Sequence, residues 1–296
     1  MTATAFAPAL APGATAPITT AVAAPKSITA ENFDYLIKLI YGDSGIVLDR
    51  SKEYLLESRL LPVAKANGAT NLDGLSQLLR TGAKGPPLRN AVVEALTTNE
   101  TLFFRDVSPF EALRTMILPK LIEARAATKK LSFLSAACSS GQEAYSISML
   151  LQEQNLPGWQ FDILGIDLSH AILNRAKAGR FSQLEVNRGL PAKYLVKYFT
   201  KTGNDWDLKP EVKRPCRWQS ANLKESLANL GRFDVVFCRN VLIYFDLQTK
   251  KGVLQNLRKV MNPMSYLLLG SSETTINIDE SFIRQSIANT TIYQTP

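Results

Sequence analysis

Apolar residues recur along this chain at two different spacings, which predict two kinds of secondary structure. Between residues 29 and 96 they repeat every three or four positions, the spacing of helices that bury one face. Four helices are predicted there, marked by Phe33, Leu36, Ile37 and Ile40, by a run from near Ser51 to Asn67, by Leu72, Leu75, Leu78 and Leu79, and by Leu88, Val92 and Leu96. Thr29 is placed to cap the first helix and Gly42 to end it. Residues 27–96 are therefore predicted to form an all-helical N-terminal domain.

Beyond residue 108 the apolar residues form short runs of strand length that alternate with helical spacing. The runs cover residues 131–137, 161–167, 233–238, 266–269 and 290–293. Alternation of this kind predicts a mostly parallel sheet covered by helices, so residues 108–296 are assigned to an α/β domain. Residues 97–107 separate the two patterns. They carry Arg105 and several hydrogen-bonding side chains, and as a linker they either line a cleft between the domains or only connect them.

Residues 131–145 predict a strand, a tight turn and a helix in succession. The turn, Cys138-Ser139-Ser140-Gly141, consists of small residues, which allow a ligand to approach the backbone closely. In an open α/β sheet, ligands bind where the carboxyl end of a strand meets such a turn. The alternative is an ordinary connection between a strand and a helix.

The next predicted strand ends in an acid, Asp167, an arrangement that holds ribose hydroxyls in nucleoside-binding sheets. The turn before it has neither the G-x-G-x-x-G pattern nor a phosphate cradle with its lysine. Because a pyrophosphate needs converging N–H groups or a cation, a nucleoside without phosphates fits better. S-adenosylmethionine is the commonest cofactor of that kind, and we expect Asp167 to hold its ribose.

Composition narrows the possible classes of protein. The single histidine, His170, excludes histidine-rich metal sites and disfavours a histidine-based triad, and we expect it on the surface in the first turn of a helix. The cysteines Cys138, Cys216 and Cys238 lack disulfide or metal-ligand spacing, which suggests a reducing compartment. Residues 1–26 are rich in alanine, proline and threonine and are predicted to be a disordered tail. No apolar stretch approaches membrane-spanning length.

The formal net charge is +8, and most of the excess lies between Arg180 and Arg232. Eleven basic residues and five acidic ones occur in that segment. Such a concentration predicts attraction to an acidic protein surface or to nucleic acid. The alternative is a solvated face without a partner.

Five segments, taken together, resemble the CheR-type chemotaxis receptor methyltransferases. They are residues 97–106 (TTNETLFFRD), 137–143 (ACSSGQE), 165–167 (GID), 222–223 (NL) and 233–245 (FDVVFCRNVLIYF). Their order and spacing match that family from about residue 28 to the end of the chain, and the first and last segments are the most specific. The resemblance implies a Rossmann-like S-adenosylmethionine-dependent methyltransferase domain with a small β-rich insertion at about residues 181–220, preceded by the all-helical domain.

The same resemblance implies which residues form the site. The implied cofactor contacts are Asn99, Thr101, Arg105, Glu143, Asp167, Asn222, Leu223, Arg239 and Asn240. Arg105 and Tyr244 are the pair expected nearest the reacting methyl group, with no metal. The family's activity would make this a cytoplasmic protein-glutamate O-methyltransferase that modifies chemoreceptor helices in sensory adaptation. Such chemistry needs no general base, because a glutamate carboxylate, with a reference pKa of about 4.3, is already ionised at neutral pH.

Two other functions remain open at this stage. A nucleic-acid methyltransferase would suit the basic segment, but residues 239–242 (RNVL) stand where amino-methylating enzymes of that class carry an Asn/Asp-Pro-Pro-aromatic motif. Cys216, after Pro215, is interpreted as structural rather than as a cytosine-methylating nucleophile. A non-catalytic cofactor-binding module would not need Arg105 and Tyr244. Neither nucleic acid nor direct membrane insertion is therefore expected.

The resemblance also raises the question of how the receptor is reached. Some family members bind a peptide at the receptor's carboxyl terminus through a glycine-flanked loop of the insertion. Here the corresponding residues 199–210 contain one glycine, and Pro210 and Pro215 lack the N–H groups that strand pairing uses. We therefore predict no tight tether. We expect the chemoreceptor to dock directly on the polar side of the second helix, near which lie the basic residues Arg50, Lys52, Arg59 and Lys65. The alternative is that Glu53 and Glu57 offset these charges and leave only a solvated surface.

Overall fold

The computed structural model describes residues 28–287 and 290–296, so the tail predicted over residues 1–26 lies outside the described residues. Four helices come first, as the apolar spacing predicts. They are α1 (Ala30–Ser44), α2 (Glu53–Ala66), α3 (Leu72–Thr81) and α4 (Gly85–Leu96). Their buried aliphatic faces, together with Phe33, form one hydrophobic core.

Helix α1 begins where predicted and ends later than predicted. The Thr29 hydroxyl accepts the Asn32 N–H (3.4 Å), as an N-cap residue does. The prediction that Gly42 ends the helix is wrong. The helix continues until Gly45, whose φ of 78° is the left-handed conformation that closes a helix. The Gly45 N–H then donates to the Tyr41 carbonyl (2.8 Å).

The α/β domain is built on a seven-stranded sheet. In spatial order its strands are β6 (Cys216–Ser220), β2 (Gln160–Asp167), β1 (Lys130–Ala136), β7 (Phe233–Cys238), β8 (Met261–Leu269), β10 (Thr290–Gln294) and β9 (Ile283–Ile287). The first five are parallel, and β10 is antiparallel to both of its neighbours. The chain winds outward from β1 to β6 and then returns to β7. The carboxyl ends of β1 and β7 therefore border the crevice at which such sheets bind ligands.

Helices cover both faces of this sheet. The helices of this domain, including those of its insertion, are α5 (Ser108–Ala112), α6 (Leu118–Ala124), α7 (Gln142–Glu153), α8 (His170–Ala178), α9 (Gln183–Asn187), α10 (Ala192–Tyr198), α11 (Pro210–Lys213) and α12 (Leu247–Lys259). Val235 and Val236 of β7 enter different cores because side chains alternate along a strand. His170 is exposed at the start of α8, as predicted. Among the described residues, no helix has the length and hydropathy needed to cross a membrane.

A second, three-stranded antiparallel sheet lies between α8 and β6 in the chain. In spatial order its strands are β3 (Arg180–Ser182), β5 (Asp205–Leu208) and β4 (Phe199–Thr202). This β-rich insertion is narrower than the predicted residues 181–220, because β6 belongs to the large sheet.

Pro210 and Pro215 lie outside the small sheet, so the prediction that they oppose strand pairing in the insertion is wrong. Pro210 begins helix α11, outside the small sheet. The Pro215 carbonyl accepts the Ile163 N–H (2.8 Å) beside the pairing of β2 with β6 in the large sheet. Neither proline therefore affects the edges of the insertion. Strand β9 is absent from the predicted runs because most of its residues are exposed and no apolar run marks it.

Candidate active site

One pocket lies where the helical domain, residues 97–107 and the carboxyl ends of β1, β2 and β7 meet. All ten predicted site residues line it: Asn99, Thr101, Arg105, Glu143, Asp167, Asn222, Leu223, Arg239, Asn240 and Tyr244. The helical domain adds Ser44 and Ile46, which the sequence did not indicate. Residues 97–107 therefore line the cleft as well as connecting the two domains.

The turn after β1 is held against Asp167. Ala137 and Ser139 have φ values of 57° and 51°, in the left-handed region that residues other than glycine rarely adopt. The Ser139 N–H donates to Asp167 Oδ2 (2.9 Å), and the Ser169 N–H donates to Oδ1 (3.0 Å). Left-handed backbone of this kind costs about 1–3 kcal/mol per residue and concentrates at ligand sites. The small residues of the turn thus shape a site rather than an ordinary connection.

Asp167 is buried, with 7% of its surface exposed, yet it lines the pocket. Burial raises the pKa of its carboxyl group, and the N–H donors of Ser169 and Ser139 offset part of that effect. A carboxylate has about four acceptor positions, so it can still accept a hydroxyl group after binding these donors. The geometry suits the predicted contact with ribose.

Glu143 and Arg239 bind each other at the base of the pocket. Arg239 Nη1 donates to Glu143 Oε2 (3.1 Å), and the Ser135 hydroxyl donates to Glu143 Oε1 (2.7 Å). Arg239 Nη2 donates to the Arg105 carbonyl and to Asp106 Oδ2, both at 2.8 Å. Burial raises the pKa of Glu143, and the nearby Arg239 lowers it in part. The two side chains therefore fix the linker to the sheet, while their contact with cofactor stays a prediction.

The linker is also fastened by the helical domain and by the turn after β1. Arg59 Nη1, on α2, donates to the Thr97 carbonyl (2.7 Å), and the Ser139 hydroxyl donates to the Asn99 carbonyl (2.8 Å). We expected Arg59 on the polar docking side of α2. Instead it is half-buried and anchors the linker. A substitution of Arg59 is therefore expected to alter the pocket as well as the surface of α2.

Asn222, which lines the pocket, also joins the two domains. Its side-chain amide donates to the Asp43 carbonyl near the end of α1 (2.6 Å), and its side-chain oxygen accepts the Lys224 N–H (3.1 Å). Lys224 Nζ donates to the carbonyls of Tyr41 (2.9 Å) and Gly42 (2.7 Å), as cations do at helix C-termini. These bonds hold the helical domain over the pocket. Contact between Asn222 and the cofactor stays a prediction.

Arg105 and Tyr244 both present side-chain donors that the described residues leave available in the pocket. Arg105 Nη1 donates to the Glu100 carbonyl (3.1 Å), and Arg105 forms no ion pair with the described residues. Tyr244 ends a 3₁₀ turn, Leu242–Tyr244, and its hydroxyl bonds to none of the described residues. The two residues predicted to be nearest the reacting methyl group are thus open to a ligand.

A buried amide oxygen marks a place for a hydrogen-bond donor. Asn240 Oδ1 is buried without a partner among the described residues, and leaving such an atom unpaired costs about 1–3 kcal/mol. The amino-acid part of S-adenosylmethionine carries an ammonium group, which suits this oxygen, and a carboxylate, which suits Arg105. Its ribose suits Asp167. The residues present therefore fit S-adenosylmethionine.

Sequence reasoning missed the residues that support the site from outside. Glu94 on α4 accepts the Ser169 hydroxyl (2.9 Å) and the His170 N–H (3.2 Å), which joins the helical domain to the start of α8. Glu273 accepts backbone N–H groups around Asn240. The partners of Glu94 lie 75 and 76 positions away, and Asn240 lies 33 positions from Glu273, so no local sequence signal indicates these bonds.

Two family models match consecutive parts of the chain. The CheR methyltransferase all-alpha domain matches residues 31–97, and the CheR methyltransferase SAM-binding domain matches residues 99–291. The chain belongs to the CheR methyltransferase family. Chemotaxis protein methyltransferase 1 of Pseudomonas aeruginosa is 41% identical over 265 residues, covering 86% of this chain and 95% of that protein. Chemotaxis protein methyltransferase Cher2 of Pseudomonas putida is 40% identical over 256 residues, covering 84% and 92%.

Membership of the CheR family confirms the predicted fold class, cofactor and class of enzyme. The chain is an S-adenosylmethionine-dependent methyltransferase whose α/β domain follows an all-helical domain. The more distant chemotaxis protein methyltransferase of Borreliella burgdorferi is 33% identical over 255 residues, covering 84% of this chain and 89% of that protein. The two family matches meet at residues 97–99, where the linker enters the pocket.

The basic segment of this CheR methyltransferase is largely engaged within the protein. Ion pairs hold four of its eleven basic residues: Arg180, Arg188, Lys197 and Arg217. Four more donate to backbone carbonyls: Lys209, Lys213, Lys224 and Arg232. These contacts fix eight of the eleven side chains, but hydrogen bonds to neutral carbonyls leave the positive charge in place. Whether the segment attracts a partner therefore stays a prediction.

The three cysteines are free thiols rather than members of a disulfide or a metal site. Burial raises the pKa of Cys216 to about 12 and also raises the pKa values of Cys138 and Cys238. A nucleophilic cysteine acts as the thiolate, which burial disfavours. These shifts support the interpretation of Cys216 as structural.

Proposed function

We propose that this CheR methyltransferase transfers the methyl group of S-adenosylmethionine to glutamate side chains on the cytoplasmic helices of chemoreceptors. The observation that carries the proposal is that no free base lines the pocket among the described residues. Glu143 and Asp167 are bound by protein donors, and Glu100 is ion-paired. Arg105 and Tyr244 offer donors instead. This set suits a nucleophile that is already ionised.

A carboxylate meets that requirement, whereas a protonated amine must first lose a proton. S-adenosylmethionine, when bound, supplies a methyl group on a sulfonium centre that needs no further activation. Arg105 holds a carboxylate, of cofactor or substrate, by charge-assisted hydrogen bonds, and the Tyr244 hydroxyl orients the substrate carboxylate. Both side chains are half-buried, which strengthens these contacts relative to bulk water. Alignment of two bound reactants supplies up to about 7–11 kcal/mol of the barrier reduction.

The proposed docking surface is the outer side of α2. Tyr54, Ser58, Pro62 and Lys65 are exposed along it, and Lys52 is exposed just before its first turn. Arg50 is already paired with Asp34 (2.7 Å), so the two lysines carry the accessible charge. Complementary charge of this kind raises association rates with an acidic receptor helix.

The proposal includes no tight peptide tether. Strands β4 and β5 pair up to Thr202 and Asp205, so only Gly203 and Asn204 form the turn between them. A two-residue turn is the shortest common hairpin connection, and it leaves no room for a glycine-flanked extension. This geometry supports recognition by direct docking.

The test uses S-adenosylmethionine labelled in its methyl group, a receptor signalling domain, and RNA as the competing acceptor. Methyl esters release methanol in alkali, whereas N-methyl groups do not. We expect alkali-labile label on the receptor and none on RNA, and we expect loss of that label when the candidate glutamates are replaced by alanine. Alkali-stable label, or label on RNA alone, would contradict the proposal.

A further inference from the structure

The Glu273 carboxylate lies behind the pocket wall and accepts four backbone N–H groups. Its Oε2 accepts those of Gly270 and Asn240, both at 2.7 Å. Its Oε1 accepts those of Val241 (2.9 Å) and Leu242 (2.7 Å). Hydrogen bonds to a carboxylate are charge-assisted and about twice as strong as neutral ones. The N–H groups of three consecutive residues, 240–242, thus donate to a single side chain.

That segment presents Asn240 and Tyr244 to the pocket. Asn240 has a φ of 59°, a left-handed value that persists only where the surroundings enforce it. The 3₁₀ turn that ends at Tyr244 begins with N–H groups that no helical carbonyl accepts. Glu273 holds the left-handed backbone at Asn240 and accepts the N–H groups at the start of the 3₁₀ turn. It lines a separate polar pocket on the other side of the segment and does not line the active-site pocket.

Because the backbone fixes this segment, its side chains stay free for ligands. Asn240 Oδ1 lacks a partner among the described residues. Tyr244 is held through its backbone, since its carbonyl accepts the Val47 N–H (2.9 Å) and its N–H donates to the Val241 carbonyl (3.2 Å). Gly270 makes the arrangement possible. A Cβ there would lie 2.6 Å from Glu273 Oε2 and 2.9 Å from Asn240 N.

We propose that Glu273 is a positioning residue for methyl transfer. It sets the backbone of residues 240–242, and thereby the places of Asn240 Oδ1 and the Tyr244 hydroxyl. The effect on Asn240 concerns cofactor binding alone. The effect on Tyr244 rests on the proposed function.

The first test is a double-mutant cycle on the affinity for S-adenosylhomocysteine, measured by calorimetric titration without receptor. Glu273→Gln turns one acceptor into an NH₂ group that faces backbone donors. We expect about tenfold weaker binding in the parent background and less than about threefold in the Asn240→Ala background, since contacting groups couple. Equal losses in both backgrounds, or no loss in either, would overturn the proposal.

The second test is the same cycle on kcat for receptor methylation, with Tyr244→Phe as the partner. A misplaced catalytic group costs about 10²-fold. We expect a loss of at least about tenfold from Glu273→Gln alone and little further loss when Tyr244 is already changed. If the parent protein methylates no receptor, the proposed function fails, while the binding cycle still decides the role of Glu273.

The chain offers a matched control in Asp234, a buried carboxylate at the opposite end of β7. It accepts hydrogen bonds from Arg125, Ser132 and Asn262. We expect Asp234→Asn to lower the melting temperature while leaving affinity for S-adenosylhomocysteine within about twofold. Glu273→Asp, which keeps the charge, should restore part of the affinity, and it replaces Glu273→Gln in both cycles if that variant does not fold. Equal kinetic effects at the two acids would show a merely structural role.

Discussion

The two ends of strand β7 differ in how completely their polar groups are paired. At the amino end, both Asp234 oxygens accept donors from Arg125, Ser132 and Asn262. At the carboxyl end, Arg239 Nε and Asn240 Oδ1 are the buried side-chain polar atoms without a partner among the described residues. A fold tolerates such atoms where a ligand completes them. The contrast separates the amino end of β7, which has a structural role, from its carboxyl end, which borders the candidate active-site pocket. We call the carboxyl ends of β1, β2 and β7, together with residues 97–107, the working end.

Backbone conformation shows the same division. Five of the nine described residues other than glycine with positive φ lie in the linker or in the turns after β1 and β7: Phe104, Asp106, Ala137, Ser139 and Asn240. Two carboxylates hold this backbone: Asp167, which lines the pocket, holds the turn after β1, and Glu273, which lies behind the pocket wall, holds the turn after β7. The strained turns of the pocket are therefore each held by a carboxylate.

The largest effect is expected at Arg105, the most open cation of the working end. Arg105→Ala should lower receptor methylation by about 10²–10³-fold, the range seen when a single oriented donor is lost. The melting temperature should change little, because Arg105 donates only to the Glu100 carbonyl. Affinity for S-adenosylhomocysteine then identifies the carboxylate that Arg105 holds, since it falls only if that carboxylate belongs to the cofactor. Normal turnover would show that Arg105 is only a linker residue.

The opposite result is expected at the other end of β7. Asp234→Ala leaves the Arg125 guanidinium and the donors of Ser132 and Asn262 without their acceptor. Breaking a buried ion pair in this way should cost about 3 kcal/mol in the free energy of unfolding, measured by urea denaturation. Cofactor affinity of the folded fraction should stay unchanged. Weaker cofactor binding would remove the contrast between the two ends.

Substitution of Asp167 tests whether the working end binds the cofactor. Asp167→Ala should weaken binding of S-adenosylmethionine and S-adenosylhomocysteine by about 1.5–3 kcal/mol, because a charge-assisted hydrogen bond is lost. Calorimetric titration measures both ligands. Equal affinity in the variant and the parent would exclude Asp167 from the ribose site and would leave it only the role of holding Ser139.

The sequence predicts those parts of the site whose signal is local. A run of small residues after a strand and an acid after the next strand are both read within a few positions, and the structure brings Ser139 and Asp167 together. The apolar spacing likewise predicts α1 to α4 and the parallel strands. What the sequence does not predict are roles set by distant partners. Arg59 and Asn222 donate to the carbonyls of Thr97 and Asp43, which lie 38 and 179 positions away in the chain, so no local pattern indicates these bonds.

Substitution of Gly189 tests whether the β-rich insertion supports the linker and thereby the pocket. The residue has a φ of 83°, and a Cβ there would overlap the Phe103 carbonyl oxygen of the linker. Beside it, Arg188 pairs with Glu100 (3.1 Å). Gly189→Ala should cost about 1–3 kcal/mol in unfolding free energy and weaken S-adenosylhomocysteine binding several-fold, because the linker must move.

The matched control is Gly203→Ala in the hairpin turn of the insertion. Gly203 also has positive φ (63°), but a Cβ there would have no atom within 4 Å among the described residues. Only the conformational cost of about 1 kcal/mol should appear, with unchanged affinity. If both variants weaken binding equally, the contact with Phe103 has no special role.

The smallest effects are expected from substitutions on the outer side of α2, which belongs to neither end of strand β7. Lys52→Glu with Lys65→Glu should weaken receptor methylation by about 0.5–1 kcal/mol and reduce its dependence on salt, as for exposed charges. Lys120→Glu on α6 is the control, since it changes the net charge away from α2. Cofactor affinity should be unaffected in all of these.

Arg59→Glu should differ, because Arg59 also holds the Thr97 carbonyl, so it should weaken cofactor binding as well as docking. If Arg59→Glu behaves like the two lysine variants, the hydrogen bond from Arg59 to the Thr97 carbonyl does not shape the pocket. Helix α2 would then contribute to docking alone, and support of the pocket would begin at the linker.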